Sequence, residues 1–207
     1  PNALANPVLQ LFSGPTQIDA NDNWQEHANQ ATLNPSGFAP SNAFESAIDT
    51  TLNPGAYTAI VTGAGGTTGV GIIEVFELNK PEVPLINIAT RGQVLTGGDV
   101  MIAGFIIQGN QPQTVAVRAR GPSLASQGVV GPLQNPRLQL FSGQTEIANN
   151  DDWQQAGNAA TITSSGFAPG DSRESVILMT LNPGAYTAIV TGVGNTTGVA
   201  IVEVFGL

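Results

Sequence analysis

Short runs along this chain alternate apolar and polar positions, and Gly, Pro, Asn and Ser cut the runs apart. "LQLF" stands at Leu9–Phe12 and again at Leu138–Phe141, and "AYTAIVTG" at Ala56–Gly63 and Ala185–Gly192. "GVGIIEVFEL" (Gly69–Leu78), "VMIAGFII" (Val100–Ile107) and "TVAVRAR" (Thr114–Arg120) are similarly rich in β-branched and aromatic residues. Alternation with a period of two is the mark of a half-buried strand. Strand-like runs recurring every ~8–12 residues between turn formers predict an all-β sandwich or barrel-like fold. No stretch keeps a 3.6-residue apolar period over three turns, so helices are expected to be few and short. "NWQEHANQA" (Asn23–Ala31) is the best candidate for one short turn.

The strongest feature is a repeat. Leu4–Leu78 lies over Leu133–Leu207 without a gap at an offset of 129 (133 − 4), and 49 of the 75 positions are identical. The stretch "TLNPGAYTAIVTG" is the same letter for letter at Thr51–Gly63 and Thr180–Gly192. Self-similarity at a fixed period marks a modular array. Residues 79–132 have no second copy; they open with the Pro-bearing linker "NKPEVP" and continue through "VMIAGFII", "TVAVRAR" and "GPSL". The expected division is therefore a first β-sandwich-like lobe over 1–78, a linker and β-rich connecting segment over 79–132 that joins or completes the lobes, and a second lobe over 133–207. A whole unit has a front part, Leu85–Pro132, and a back part, Leu133–Leu207, whereas the first lobe has a back part only.

Gly-rich text follows each "YTAIVTG". A phosphate-binding glycine motif runs from a strand into a helix, because the helix N-terminus supplies the anion site. Here the glycines run from strand to strand, and the second copy has Asn195 for Gly66 and Ala200 for Gly71. Gly and Asn accept positive φ, so the expectation is a hairpin or bulge and not a nucleotide site.

Composition narrows the function. Only 10% of the residues are charged, against about 25% in ordinary globular proteins, and the net charge is −9 with a single lysine, Lys80. Nucleic acid is excluded as a partner, because phosphate binding needs clustered Lys and Arg. No apolar run approaches the roughly 18 residues of a membrane span. Without cysteine, disulfides and thiolate metal sites are excluded. A surface of Asn, Gln, Thr and Ser suits an extracellular protein, and the sequon at Asn195–Thr197 permits glycosylation.

The string "NDNW…ESAI…LNPGAYTAIVTG…GTTGVG…EVF", with "TRG…GPSL" ahead of it in a full unit, resembles repeats of large secreted and cell-surface bacterial proteins. It is similar, more loosely, to bacterial pre-peptidase C-terminal β-sandwich domains. The resemblance implies an extracellular, non-catalytic β-sandwich module. The first copy departs from that pattern, since it lacks its own "TRG…GPSL" half.

Candidate chemistry is sparse. The one histidine, His27, aligns with Ala156, so no repeated histidine site exists, and a solvated polar residue is expected. Ser46 and Ser175 follow Glu45 and Glu174 without a base. Nothing in the sequence sets Asp22 opposite Glu45 as a glycosidase pair would need. No catalytic, cofactor-binding or metal-ligating residue is assigned. Calcium is the one cofactor to weigh, at the turns "IDANDNW" and "IANNDDW", where Asn21, Asp22 and Glu45 match Asn150, Asp151 and Glu174. The spacing is not that of an EF-hand and Asp19 becomes Ala148, so Asx turns are the favoured reading. Trp24 and Trp153 could serve as sugar-stacking platforms, but one per repeat beside a turn fits structural packing better. Tyr57 and Tyr186 are likewise read as packing residues.

The expected function is a structural protein of the bacterial cell exterior, a filament subunit assembled head to tail with copies of itself by strand addition. The alternative is a carbohydrate- or surface-binding module of a larger secreted protein, with cell-surface polysaccharide as partner. An enzyme is not expected.

Overall fold

The computed structural model describes residues 3–78 and 84–207. It is all-β, with 42% strand and 16% helix in three antiparallel sheets. The chain divides into two compact units, Pro1–Pro84 and Leu85–Leu207.

Unit 1 holds one sheet. Strands β1 (Pro7–Ser13) and β2 (Thr16–Asn21) form a hairpin, which Gly14 turns at φ +57. A 3₁₀ turn at Trp24–Glu26 and a helix, α1 (Gln30–Ser36), come next, so the single turn expected at 23–31 extends into a true helix. Strand β3 (Tyr57–Gly63) pairs antiparallel with β1, giving the order β2-β1-β3.

Unit 2 is a sandwich. It comprises β4 (Asn87–Val94), β5 (Met101–Ile107), β6 (Gln113–Arg120), β7 (Pro136–Ser142), β8 (Thr145–Asn150), a second helix α2 (Ala159–Ser164), β9 (Ser175–Leu181), β10 (Gly184–Gly192) and β11 (Gly198–Gly206). One sheet runs β5-β10-β7-β8 and the other β4-β11-β6-β9. Their inner faces share a core that includes Leu138, Leu140 and Val190 from the first sheet and Val94, Val117 and Val202 from the second. Two layers are the least a sheet needs to bury an apolar face. The expected linker at 79–83 lies outside the described residues, and the rest of the stretch without a second copy falls in the second unit. Its strands β4, β5 and β6 belong to the second unit, because the back part there has positions in both sheets that only they fill.

The Gly-rich turns also differ from expectation in one respect. They do run from strand to strand, and Gly65, Gly66, Gly194 and Asn195 all adopt positive φ. In unit 2, however, the turn carries the chain from β10 in one sheet to β11 in the other, so it is a crossover and not a hairpin. The approach is close: a Cβ on Gly192 would lie 2.0 Å from the Thr196 carbonyl oxygen, and one on Gly63 would lie 2.1 Å from that of Thr67.

Candidate functional site

The two units share most of their back-part sequence and differ in what covers it. In unit 2, β6 lies between β11 and β9, with Arg118 opposite Glu203 on one side and Val117 opposite Ile177 on the other. In unit 1 the equivalents of β9 and β11 are Ser46–Leu52 and Gly69–Glu77 (175 − 129 and 198 − 129). Neither forms a strand among the described residues, and a bridge joins Ala3 to Val70. Similar sequence therefore meets different surroundings, although Asp49 and Thr50 stand where unit 2 has Leu178 and Met179. Leu181 is 4% exposed and Leu52 39%; Val204 is 8% exposed and Val75 49%.

Local ties nevertheless hold both stretches where their counterparts sit. The Ala47 N–H donates to Asn21 Oδ1 at 2.9 Å, as the Val176 N–H does to Asn150 Oδ1 at 2.9 Å. Asn29 Nδ2 donates to the Asp49 carbonyl, as Asn158 Nδ2 does to Leu178. The Leu4 N–H donates to the Val70 carbonyl at 2.9 Å, as Leu133 does to Val199 at 2.8 Å. An extended segment with unpaired backbone groups is a template for another strand. Among the described residues of unit 1, Ser46–Leu52 and Gly71–Phe76 lie in no strand.

The charged groups at the filled position in unit 2 are specific. Glu203 Oε2 accepts from Arg118 Nε at 2.7 Å and from Arg120 Nε at 2.9 Å. The Arg118 guanidinium also lies 5.2 Å from the centre of the Phe205 ring, which packs on Phe167 at 5.0 Å, and it donates to the Phe167 carbonyl. Just beyond β6, the backbone N–H groups of Gly121 and Ser123 donate to Glu174 Oε1 at 2.9 Å each, and Ser123 Oγ donates to it at 2.7 Å. Glu174 is fully buried, as a carboxylate can be when donors converge on it. In unit 1 the counterparts are Glu74, Phe76, Phe38 and Glu45, all exposed. The rings of Phe38 and Phe76 still pack together, tilted, with their centres 4.4 Å apart. No hydrogen bond or ion pair reaches Glu74 from the described residues, and the Glu45 carboxylate takes only the Asn42 N–H, at 3.4 Å. None of this was read from the sequence, because its parts lie far apart in the chain. The available signal was that both copies keep this glutamate while only the front part carries closely spaced arginines.

The residues singled out from sequence are mostly structural. Asn21 and Asn150 spend their side chains on the backbone ties above and on the carbonyls of Asn23 and Asp152, as Asx turns do. Glu174 turns its Oε1 to the Gly121–Ser123 loop. Partial burial, with Asp152 beside it, pushes the Asp151 carboxyl above its ordinary value. Among the described residues, no three His, Asp or Glu side chains gather as a metal group. Trp24 and Trp153 each open a 3₁₀ turn, and their backbone N–H groups donate to the carbonyls of Glu45 and Glu174 at 2.9 Å. Both indole N–H groups are buried; Trp24 as a whole is buried with them, whereas Trp153 is half-buried. Tyr57 and Tyr186 each donate to a carbonyl four residues back. The Ser175 hydroxyl is buried and donates to the Asp151 carbonyl at 2.7 Å.

His27 departs from its expected solvated state. Its side chain is only 8% exposed and Nε2 lies 3.1 Å from Asp19 Oδ1. Copy 2 has Ala148 and Ala156 at these two places, so the pair is present or absent as a unit.

No family model matches the chain, and no curated protein matches it. Among solved structures it is similar to the pre-peptidase C-terminal domain of a collagenase from Bacillus anthracis, at 14% identity and a TM-score of 0.36, over 57% of this chain and 89% of that one. This is the type of domain that the sequence resembles. The all-β assignment itself rests on the three sheets. Among the described residues, no helix is long and apolar enough to cross a membrane.

Proposed function

We propose that this chain is a structural protein of the bacterial cell exterior, a filament subunit joined to its neighbour by strand addition at unit 1. One observation carries the reading: among the described residues, Ser46–Leu52 and Gly71–Phe76 lie in no strand, while their counterparts in unit 2 pair with β6 on its two sides. Strand addition joins subunits through main-chain hydrogen bonds, and a contact that does not close on itself propagates as a fibre. The low charge supports this, since uncharged polar surfaces stack with little repulsion or ion desolvation. The polar residues named above hold turns and strands together, which supports a non-catalytic role.

The test uses Ile73→Pro. Proline removes a main-chain donor from a stretch that must pair, and Ile73 stands exposed in unit 1. Surface material shed from source cells is examined by negative-stain microscopy. The wild type should give filaments, and the variant should give none while the Trp153 fluorescence of unit 2 is unchanged. Filaments that persist in the variant, or their absence from wild-type material, would make a surface-binding module the better reading.

A further inference from the structure

The geometry points to the outer face of the sheet β4-β11-β6-β9 in unit 2 as a binding site for an acidic polysaccharide, one whose sugars carry carboxylates. The inference takes from the proposed function only the cell exterior, where such polymers are met, and does not depend on the filament.

Charge is the first argument. The whole chain has five arginines, and three of them stand on this one face. In the ladder, Ile201 of β11 lies between Arg91 of β4 and Arg120 of β6, and Glu203 lies between Ala89 and Arg118. Directly opposed residues put their side chains on the same face of a sheet. Glu203 accepts from the Nε of both Arg118 and Arg120, whose side chains are only 16% and 18% exposed. A cation left over at such a half-buried place is costly until an anion meets it. Arg91 is exposed, and among the described residues no carboxylate pairs with it. Even with Glu174 counted, which spends Oε1 on the Gly121–Ser123 loop, three guanidiniums meet two carboxylates. The face is thus positive in a chain of net charge −9.

Free donors and their spacing are the second argument. Arg118 gives Nη1 to the Phe167 carbonyl and Arg120 gives Nη2 to Glu203. Arg118 Nη2 and Arg120 Nη1 have no acceptor among the described residues, and a guanidinium fork suits a carboxylate. Arg91 and Arg120 stand two strand spacings apart, about 10 Å. Carboxylates two sugars apart on an extended polyuronate span a similar distance, so one polymer laid across the strands meets both arginines. Gln93, exposed on β4 two residues from Arg91, offers an amide to the sugar hydroxyls, and Ile201 offers apolar ground to the ring C–H faces.

Charge density selects among polyanions. A nucleic acid duplex carries a charge about every 1.7 Å, which three guanidiniums do not match. A polyuronate carries one charge per sugar, near the spacing of neighbouring strands. An acidic peptide has carboxylates on flexible stems with no fixed spacing, so the arginines do not select it.

The experiment runs the intact chain through native gels cast with polygalacturonate or with alginate. The expected result is retardation by at least one of the two, weakening as salt is raised. Arg91→Glu should weaken the binding about ten-fold or more. Arg137→Glu makes the same change of charge at an exposed position of β7, in the other sheet, and should leave the binding nearly unchanged. Both positions are exposed, so both variants should keep the tryptophan fluorescence of the folded chain. Three results would overturn the proposal: no retardation by either polymer, equal weakening by the two variants, or equal retardation by neutral dextran, polyglutamate or polyphosphate. A chain that binds a polyuronate although its source cells carry no filaments supports this inference and sinks the filament reading. Filaments built from a chain that ignores both polymers sink this inference alone.

Discussion

Leu9 and Leu138 occupy the same place in the two copies, and truncating each to Ala reads out how closed each unit is. Leu138 is fully buried in a core drawn from both sheets of unit 2. Leu9 lies on β1 of unit 1, which has one sheet, and is only partly buried. Removing a fully buried leucine side chain costs about 2.7–5 kcal/mol through lost transfer energy and the cavity left behind. At Leu138 the facing sheet keeps the cavity from collapsing, so about 3 kcal/mol is expected. At Leu9 no second sheet faces the residue and part of the side chain already meets water, so the loss should be about 1 kcal/mol. Each unit has its own tryptophan, so Trp24→Phe leaves fluorescence that reports on unit 2 alone, and Trp153→Phe leaves fluorescence that reports on unit 1. In urea, with a slope of about 2 kcal/mol/M, Leu138→Ala should lower the unit 2 midpoint by about 1.5 M and Leu9→Ala the unit 1 midpoint by about 0.5 M. Equal losses at the two positions would refute the reasoning, because they would mean that unit 1 packs a closed core of its own.

The remaining predictions use the same two reporters. Glu203→Gln should destabilise unit 2 by about 2 kcal/mol, less than for a fully buried pair because Arg118 and Arg120 keep some contact with water; Glu74→Gln in the isolated chain should change unit 1 by under about 0.5 kcal/mol. His27→Ala or Asp19→Ala alone should cost unit 1 up to about 1 kcal/mol, and the double variant, which recreates the Ala pair of copy 2, should cost less than the two summed. The Asp151 carboxyl is raised above its ordinary value, so the folded state disfavours its charged form; that penalty is absent below the unfolded value near 3.8 and sets in as pH rises through the folded one. Asp151→Asn should therefore leave unit 2 at least as stable at pH 7, with an advantage that disappears at acid pH in denaturation curves.

Much of the strand pattern was legible from alternation. "LQLF" became β1 and β7, "AYTAIVTG" β3 and β10, "VMIAGFII" β5, and "TVAVRAR" β6. These segments carry their own period and their own turn formers. The instructive difference is "GVGIIEVFEL" in copy 1, which reads as a strand and is not one, although its counterpart forms β11. A strand is a paired object, and among the described residues no strand pairs with Gly71–Phe76 as β4 and β6 pair with β11. The identical thirteen residues show the same dependence. Over Thr180–Gly192 they end β9 and form a nine-residue β10, whose first residues pair with β5. Over Thr51–Gly63 only seven residues are strand. The grouping around Glu203 was not legible, since it joins residues 85 and 83 apart in the chain. The His27–Asp19 pair could have been found, because both positions become Ala together in copy 2.

The central claim is that unit 1 holds two strand-forming stretches in place without a strand between them. Amide hydrogen exchange on the purified chain and on assembled surface material tests it directly. In the purified chain, the amides of Gly71–Phe76 and Ser46–Leu52 should exchange quickly, apart from the tied amide of Ala47, while those of β11 and β9 are slowed by orders of magnitude. In the assembled material both sets should be slow. Equal protection of the two copies in the purified chain, or unit 1 stretches that stay fast after assembly, would contradict the account.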